Sequence, residues 1–322
     1  MIMKQPWLSV LMPTYNGEAY LSSTLESIVV QGAEGIECIV VDSGSTDGTL
    51  SILESYKNEL PIKILHPKEL NNWVSKTNYA LKYAEGEYVC FLHQDDLWFK
   101  DRLTIMRKLT EQFPQVGFIL HSSRYIDNDD NYLGLWKCPL PEYPEIINSR
   151  LLVEKLLVQN FISIPAPVFK REIILGVGGM NEALWYTADW DLWLKIASNS
   201  DAVYYPTPLS GFRIHPHSMT MMRSANLQDF REQLETVVKK YLEPLGANKR
   251  TKNRISKIAN FSKEVNIALA GTMHGNRSLL LGLFISFVSL GPSGWYRYVN
   301  DSRILERISA RVKARLISQK KR

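Results

Sequence analysis

Along the first hundred residues, short apolar runs alternate with segments in which apolar side chains recur every three or four positions. Residues 8–12, 36–41, 62–65 and 88–92 read as strands, and residues 18–30, 49–59 and 75–84 as the helices between and after them. The fourth run, Tyr88-Val89-Cys90-Phe91-Leu92, is apolar without a break, the pattern of a central strand covered on both faces. Strands separated by helices at this spacing imply right-handed βαβ units and a mostly parallel sheet, so the fold class is α/β. Ligands of such sheets bind beyond the carboxyl ends of the strands. The residues to inspect are therefore those that follow each strand.

Further on, residues 99–113 read as a helix ended by Pro114, and residues 116–121 as a strand. Residues 127–144 are polar and proline-bearing and predict a loop. A helix over 149–159 is followed by an extended stretch over 161–169, where Pro165 and Pro167 exclude helix. Gly176, Gly178 and Gly179 mark a turn, and no strand-then-helix context makes them a dinucleotide fingerprint. A helix over 187–198, a short strand over 202–205 and a loop to about 220 complete this part. Beyond Ala225 the pattern is wholly helical. This divides the chain into residues 1–222 and a helical region over 223–322, with no internal repeat.

Composition adds exclusions. With 322 residues, 45% hydrophobic and 22% charged, the chain is neither disordered nor fibrous and buries a sizeable core. Cys38, Cys90 and Cys138 lie far apart, which suggests buried thiols in a reducing compartment rather than a disulfide frame or a zinc site. Residues 1–10 hold Lys4, Pro6 and Trp7 and no extended apolar segment, so no secretory signal is expected. The net charge of +5 is unevenly spread: residues 303–322 hold eight basic residues against Glu306, a local charge of +7, leaving about −2 for the rest. The basicity belongs to a tail, and a tail of this kind signals a partner.

Three post-strand loops carry candidate chemistry. Asp95 and Asp96 follow the fourth strand, and adjacent carboxylates repel, so they need solvent, a cation or both. Hard oxygen ligands with open positions suit Mg²⁺ or Mn²⁺ carrying a phosphate, while a solvated turn capping the next helix explains the same pair. Asp42-Ser43-Gly44-Ser45-Thr46-Asp47-Gly48-Thr49 and Pro13-Thr14-Tyr15-Asn16-Gly17 follow the second and first strands. Each alone is a polar turn or a helix cap. Together, these three loops resemble the inverting family 2 glycosyltransferases, which have the GT-A nucleotide-sugar-binding fold. The resemblance extends through Gly178-Gly179-Met180-Asn181-Glu182 and Ala188-Asp189-Trp190-Asp191 to Arg213-Ile214-His215-Pro216-His217, covering about residues 7–220.

The resemblance implies a nucleoside-diphosphate sugar donor and a glycan or lipid-linked acceptor in surface polysaccharide synthesis. Pro13, Thr14, Tyr15, Asn16, Asp42, Ser43, Asn78, Asp95 and Arg213 would bind the donor, with Arg213 on phosphate oxygens. Asp96 would hold Mn²⁺ or Mg²⁺, helped by His215, and ligation by His217 is not favoured. Asp189 would be the base that deprotonates the acceptor hydroxyl. Glu182 and Trp185 would face the acceptor, with Trp185 as a stacking platform; Trp190 and Trp193 suit stacking or core packing equally. Three positions depart from the family pattern. His93 replaces the first Asp of the metal motif, Ser43 a common second Asp of the nucleoside loop, and Ala188 a frequent Glu before the base. The base preference among uridine, deoxythymidine and guanosine stays open, and these departures keep alive a nucleotide-binding scaffold without transfer. A nucleotidyltransferase ranks last, because Thr14-Tyr15-Asn16-Gly17 has no Lys or Arg for phosphate.

The apolar run over 278–290 ends at Gly291-Pro292, short of the roughly 20 residues that span a bilayer. It reads first as a buried helical hairpin with residues 267–269, and second as an interfacial segment. Arg303, Arg307, Arg311 and Arg315 fall every four residues beside an apolar stripe of Ile304, Ile308, Val312 and Leu316. That pattern, preceded by Trp295, Tyr296 and Tyr298, predicts a basic amphipathic helix on a membrane surface, and a solvated basic tail is the simpler alternative. No nucleic-acid module accompanies the charge. The expected location is cytoplasmic, peripheral at the inner face of the cell membrane.

Overall fold

The computed structural model describes residues 5–215, 226–273 and 280–320. At its centre, ten strands of the described residues form one sheet ordered β3-β2-β1-β4-β9-β6-β10-β5, with β7 on β6 and β8 on β10. The strands are β1 Leu8–Thr14, β2 Ile36–Asp42, β3 Ile62–Leu65, β4 Tyr88–Phe91, β5 Leu97–Trp98, β6 Phe118–Ile126, β7 Tyr132–Trp136, β8 Ile146–Ile147, β9 Val168–Lys170 and β10 Ala202–Arg213. The first four pair in parallel, as do β6 and β10, while β9 runs antiparallel between β4 and β6. The crossover helices are α1 Glu18–Val29, α2 Thr49–Ser55 and α3 Trp73–Leu81, followed by α4 Arg102–Gln112, α5 Ser149–Leu156, α6 Arg171–Gly176 and α7 Ala188–Ala197.

Strand alternation feeds two cores. Val10, Met12, Cys38 and Val40 pack on one face of the sheet, and Leu11, Ile39 and Val41 on the other. The three cysteines are buried thiols. Trp190 and Trp193 both belong to the core, so packing is the role the structure gives them.

Two sequence readings are corrected here. The stretch 127–144 contains β7, paired antiparallel with β6. The strand read as 202–205 continues to Arg213 as β10. The strand runs through Pro206 and Pro208 with shifts of register against β6 on either side of Pro208.

The helical region comprises α8 Leu227–Leu242, α9 Lys249–Met273, α10 Leu280–Ser302 and α11 Ile304–Lys320. The division at 222/223 falls outside the described residues, as does His217. On the far side of it, Phe230, Leu234, Val237, Ile255 and Ile267 join the same core as the sheet. Asp191 of α7 pins α8 through Lys240 (2.7 Å) and the Tyr241 hydroxyl (2.9 Å). Asp301 of α10 pairs with Lys155 of α5 at 2.9 Å.

Within α10 the chain kinks at Gly291, whose φ of 65° lies in the left-handed region, ahead of Pro292. Leu283, Phe287 and Leu290 pack against Ile258 and Phe261 of α9, while Phe284, Ile285 and Val288 are exposed. Among the described residues, no helix is long and apolar enough to cross a membrane.

The arginine stripe does not lie wholly on an outer surface as expected: Arg307 is buried and Arg311 half-buried, while Arg315 is exposed. Ala310, Ala314 and Ile317 pack on Leu133, Tyr125 and Trp136 of β7 and β6, which turns Arg307 inward, 7% exposed. Val312 and Leu316 face outward instead.

Candidate active site

The carboxyl ends of β1, β2 and β4, the end of β10 and the start of α7 surround one cavity of about 760 Å³. Register sets its floor: Thr14 and Asp42 are partners at the last position of the β1–β2 ladder, and Thr14 Oγ1 donates to Asp42 Oδ2 at 2.9 Å. Asp42 Oδ2 also accepts from Ser45 Oγ at 2.5 Å. Asn16, at φ 46°, receives the amide of Thr46 on Oδ1 (2.9 Å) and gives its own amide to Ser45 Oγ (2.9 Å), lacing the two nucleoside-side loops together. Gln94 adds a clamp, with Oε1 taking the Tyr15 amide at 2.8 Å and Nε2 reaching the Tyr15 carbonyl at 3.0 Å. Pro13, Thr14, Tyr15 and Ser43 line the cavity. The Ser43 hydroxyl is spent on the Leu70 carbonyl, 2.5 Å away.

Sequence reasoning passed over Lys76, which is buried under this half of the cavity. Its Nζ donates to the Thr14 carbonyl at 2.7 Å and lies 5.3 Å from the centre of the Tyr15 ring. Burial lowers its pKa, and Asp42 opposes that. The signal was available in a lysine at the start of a helix after a strand, where Asn72 Oδ1 caps α3 by accepting the Ser75 amide at 2.8 Å.

Across the cavity, Asp95, Asp96, Arg213 and His215 form a second group. Asp96 is 2% exposed and accepts the Arg213 amide on Oδ1 at 3.1 Å. Burial, and then the charge of Asp95, push its carboxyl well above the usual carboxylate range. Burial is also the largest influence on Asp95 and acts the same way, but the hydrogen bond with His215 Nε2 (2.8 Å) and the charges of His93 and His215 together outweigh it and hold that carboxyl below its ordinary value. His93 lines the cavity with its Nε2 buried and without a hydrogen-bond partner, edge-on to Trp73 at 5.2 Å. Burial lowers its pKa, and Asp95 opposes that.

Arg213, expected on phosphate oxygens, lines the cavity and is also bonded to the protein. Its Nε donates to the Asp95 carbonyl (2.8 Å), Nη1 to the Asp127 carbonyl (2.6 Å), and Nη2 lies 2.5 Å from Asp130. Through Nε and Nη1 it braces the Asp95 and Asp127 loops, while Nη2 has the ion pair but no hydrogen bond.

The third group surrounds Asp189 in the first turn of α7. Its Oδ1 accepts the Trp190 amide at 2.8 Å, and its Oδ2 accepts Asn160 Nδ2 at 2.8 Å. Burial outweighs both bonds and pushes the carboxyl up to about 6. Trp185 lines the same wall, its Nε1 held by Asp229 of α8 at 2.6 Å.

Glu182 and Asn78 stand apart from the cavity lining. Asn78 Nδ2 donates to Glu182 Oε1 and to the Met180 carbonyl, each at 2.9 Å, so the pair fixes the loop ahead of α7. This differs from the donor and acceptor roles the sequence pattern suggested for them. Asn160, Tyr186, Arg307 and Arg311, which the sequence reading did not connect with the site, all line the cavity.

Comparisons with known proteins bear on the family and the fold. The model of "Glycosyl transferase family 2" matches residues 9–175. An uncharacterised glycosyltransferase of Rickettsia typhi is 29% identical over 236 residues, 70% of this chain and 69% of that protein. The putative teichuronic acid biosynthesis glycosyltransferase TuaG of Bacillus subtilis is 40% identical over 100 residues, 31% of this chain and 40% of its own length. The structure of S. aureus TarS 1–349 in complex with UDP-GlcNAc superposes with a TM-score of 0.67 at 19% identity, covering 97% of this chain and 91% of that one. The mannosyltransferase PcManGT from Pyrobaculum calidifontis, in complex with GDP-Man and Mn²⁺, gives 0.55 at 19% identity, covering 97% and 88%. With the family model spanning residues 9–175 and the sheet arranged as in these neighbours, the chain belongs to glycosyl transferase family 2 and has the GT-A fold.

Proposed function

We propose that this glycosyltransferase moves a sugar from a nucleoside-diphosphate sugar to a hydroxyl of a glycan or lipid-linked saccharide, with inversion, during surface polysaccharide synthesis. The observation that carries the reading is Asp189. It is a half-buried carboxylate pushed up to about 6, set in the wall of the cavity that Thr14, Ser43 and Asp96 also line. A carboxylate titrating there is ionised at neutral pH and still basic enough to take a proton. Asp189 accepts the acceptor's proton as its oxygen bonds to the anomeric carbon. The bond from that carbon to the diphosphate breaks, and its electron pair leaves on the diphosphate. Surface-glycan synthesis is supported by relatives named for teichuronic and teichoic acid biosynthesis, and the donor class by neighbours solved with UDP, UDP-GlcNAc and GDP-Man.

Mn²⁺ or Mg²⁺ fits the donor set at the second group. Two carboxylates and an imidazole nitrogen stand together, and Asp96 is buried beside a like charge that the chain compensates poorly. Among the described residues no three ligating side chains close around one point. This suits a cation that brings diphosphate oxygens as its remaining ligands. Asp96 and His215 would hold it, and when bound it neutralises charge on the departing diphosphate.

We further propose peripheral contact with the cytoplasmic face of the membrane. Exposed Phe284, Ile285 and Val288 of α10 support it, as do Lys249, Arg250, Arg254 and Lys257, which line a cavity with Ser289 and Leu290.

The test is a thermal-shift panel of uridine, deoxythymidine, guanosine and cytidine diphosphates, with and without Mn²⁺, on wild type and Asp96→Asn. A ligand at about 100 times its dissociation constant adds roughly 2.7 kcal/mol, a shift of several degrees. One nucleotide stabilising only with metal, and losing that effect in Asp96→Asn, is the expected result. No metal-dependent shift with any of them overturns the metal assignment.

A further inference from the structure

The inward face of α11 carries a pair of positive charges that the chain leaves uncompensated. Arg307 is buried, with Nη2 bonded to Asn266 Oδ1 at 3.1 Å and Nη1 buried without a hydrogen-bond partner. Arg311 lines the cavity one turn further along. Among the described residues, neither has a carboxylate within ion-pairing distance, although Arg303, just before the helix, pairs with Glu306 at 3.5 Å. Burial, and then the charge of Arg307, lower the pKa of the Arg311 guanidinium. A buried and a half-buried like charge without a carboxylate beside them are costly, and a guanidinium pair of this kind matches the oxygens of a phosphate or carboxylate.

The position is also built. Gln159 Oε1 accepts from Asn266 Nδ2 at 2.8 Å and from Ser262 Oγ at 3.0 Å, and Asn266 in turn holds Arg307. Gln159 adjoins Asn160, which holds Asp189. One dipeptide after α5 therefore fixes both the base and the strut of the arginine pair. Tyr186 feels Arg307, Arg311 and Asp189 together, whereas the charges acting on Asp95 and Asp96 come from His93, His215 and Arg213 and include neither arginine. The second and third groups of the cavity thus have separate surroundings: one at the ends of β4 and β10, the other beside the base. A hydroxyl about to be deprotonated must sit at the base, so the arginines flank the acceptor.

We propose that Arg307 and Arg311 form an oxyanion-binding subsite for the acceptor, whose sugar or polyol carries a phosphate ester or a carboxylate close to the hydroxyl that receives the new sugar. The inference rests on the reading of this cavity as a sugar-transfer site, and narrows the substrate class to anionic acceptors.

The experiment titrates the full-length protein calorimetrically with glycerol 3-phosphate and with neutral glycerol. Mg²⁺ is present, along with a saturating amount of whichever nucleoside diphosphate stabilises the protein most. Variants Arg311→Gln and Arg311→Lys are used rather than changes at the more deeply buried Arg307, and their melting curves confirm folding. The expected result is saturable binding of glycerol 3-phosphate with the nucleotide already bound, and none of glycerol. Arg311→Gln should weaken glycerol 3-phosphate at least tenfold and Arg311→Lys less, with nucleotide affinity within twofold of wild type in both. Competition between glycerol 3-phosphate and the nucleotide would assign the arginines to the donor diphosphate and overturn the proposal. So would affinity unaffected by Arg311→Gln, or no saturable binding at all. If no nucleotide binds but Arg311-dependent binding of glycerol 3-phosphate persists, the oxyanion subsite stands and the sugar-transfer reading falls.

Discussion

A single carboxylate sets the pH behaviour expected of this protein. With its pKa near 6, Asp189 is ionised at pH 8 and half protonated near pH 6. The value of kcat/KM should therefore be flat above about pH 7 and fall tenfold per unit on the acid side of 6. Asn160 supports the charged form through its 2.8 Å hydrogen bond. Asn160→Ala should therefore move the acid limb to higher pH, and an unmoved limb would show that another group sets it. Asp189→Asn should lower kcat by about 10²–10⁴, the usual contribution of a general base. Its effect on stability runs the other way. A carboxyl raised on folding makes the native state bind more protons than the unfolded chain, so stability declines as pH rises from about 4 through 6. Above that the cost is about 3 kcal/mol, the free-energy equivalent of raising the carboxyl from its ordinary value to about 6. Replacing the charge should raise the melting temperature at pH 8 but not at pH 4, by less than the full amount because one of the two hydrogen bonds to Asp189 is lost. A variant that melts lower than wild type at pH 8 would mean the buried charge is better compensated than its surroundings suggest.

At the scale of elements, the loop before α7 offers a paired test. Gly178 and Gly179 have φ of 76° and 68°, a backbone region that favours glycine. A Cβ on Gly178 meets nothing within 4 Å, whereas one on Gly179 would stand 2.8 Å from Asn78 Oδ1, the atom that accepts the Met180 amide. Gly178→Ala should cost only the backbone term, about 1–2 kcal/mol. Gly179→Ala should cost more, because it also displaces Asn78 and with it Glu182. Equal losses in the two melting curves would show that the Asn78 contact matters little.

The same element shows what was legible in sequence. The strands β1 to β4 and the polar loops after them could be read because their side-chain pattern and their function coincide at strand ends. Asn78 and Glu182 read as ligands because they sit in the right blocks. Only the folded loop shows them bonded to each other. The length of β10 was not legible, since the strand continues past Tyr205 only through shifts of register against β6, a partner distant in sequence. In α11 the spacing of the arginines was legible and their direction was not. Which face of a helix turns inward is set by what it packs on, here Leu133 and Tyr125, far away in sequence.

For the whole molecule, the direction of α11 bears on what the helical region is for. A tail serving only as an anchor could be removed without harm to the rest. Here Ala310 covers Leu133 and Tyr125, and Arg307 closes a hydrogen-bonded chain to Gln159. A chain ending at Ser302 should therefore melt several degrees lower and lose cavity wall. Retention of the wild-type melting temperature would return α11 to the role of a tail. Membrane contact then falls to the outward face. Phe284 and Val288 are 71% and 53% exposed, and Lys249, Arg250, Arg254 and Lys257 line a cavity with Ser289 and Leu290 from the same helix. Burying a Phe and a Val in the interface contributes about 1.5–3 kcal/mol each, and basic side chains add attraction to anionic lipid that salt screens. Phe284→Ser with Val288→Ser should weaken co-sedimentation with vesicles containing anionic phospholipid by at least tenfold, with nucleotide-induced stabilisation unchanged. Added salt should weaken wild-type binding to the same vesicles, because the basic group supplies the remaining attraction. Equal binding by wild type and the double variant would remove this face as the contact and leave α10 as a strut of the fold.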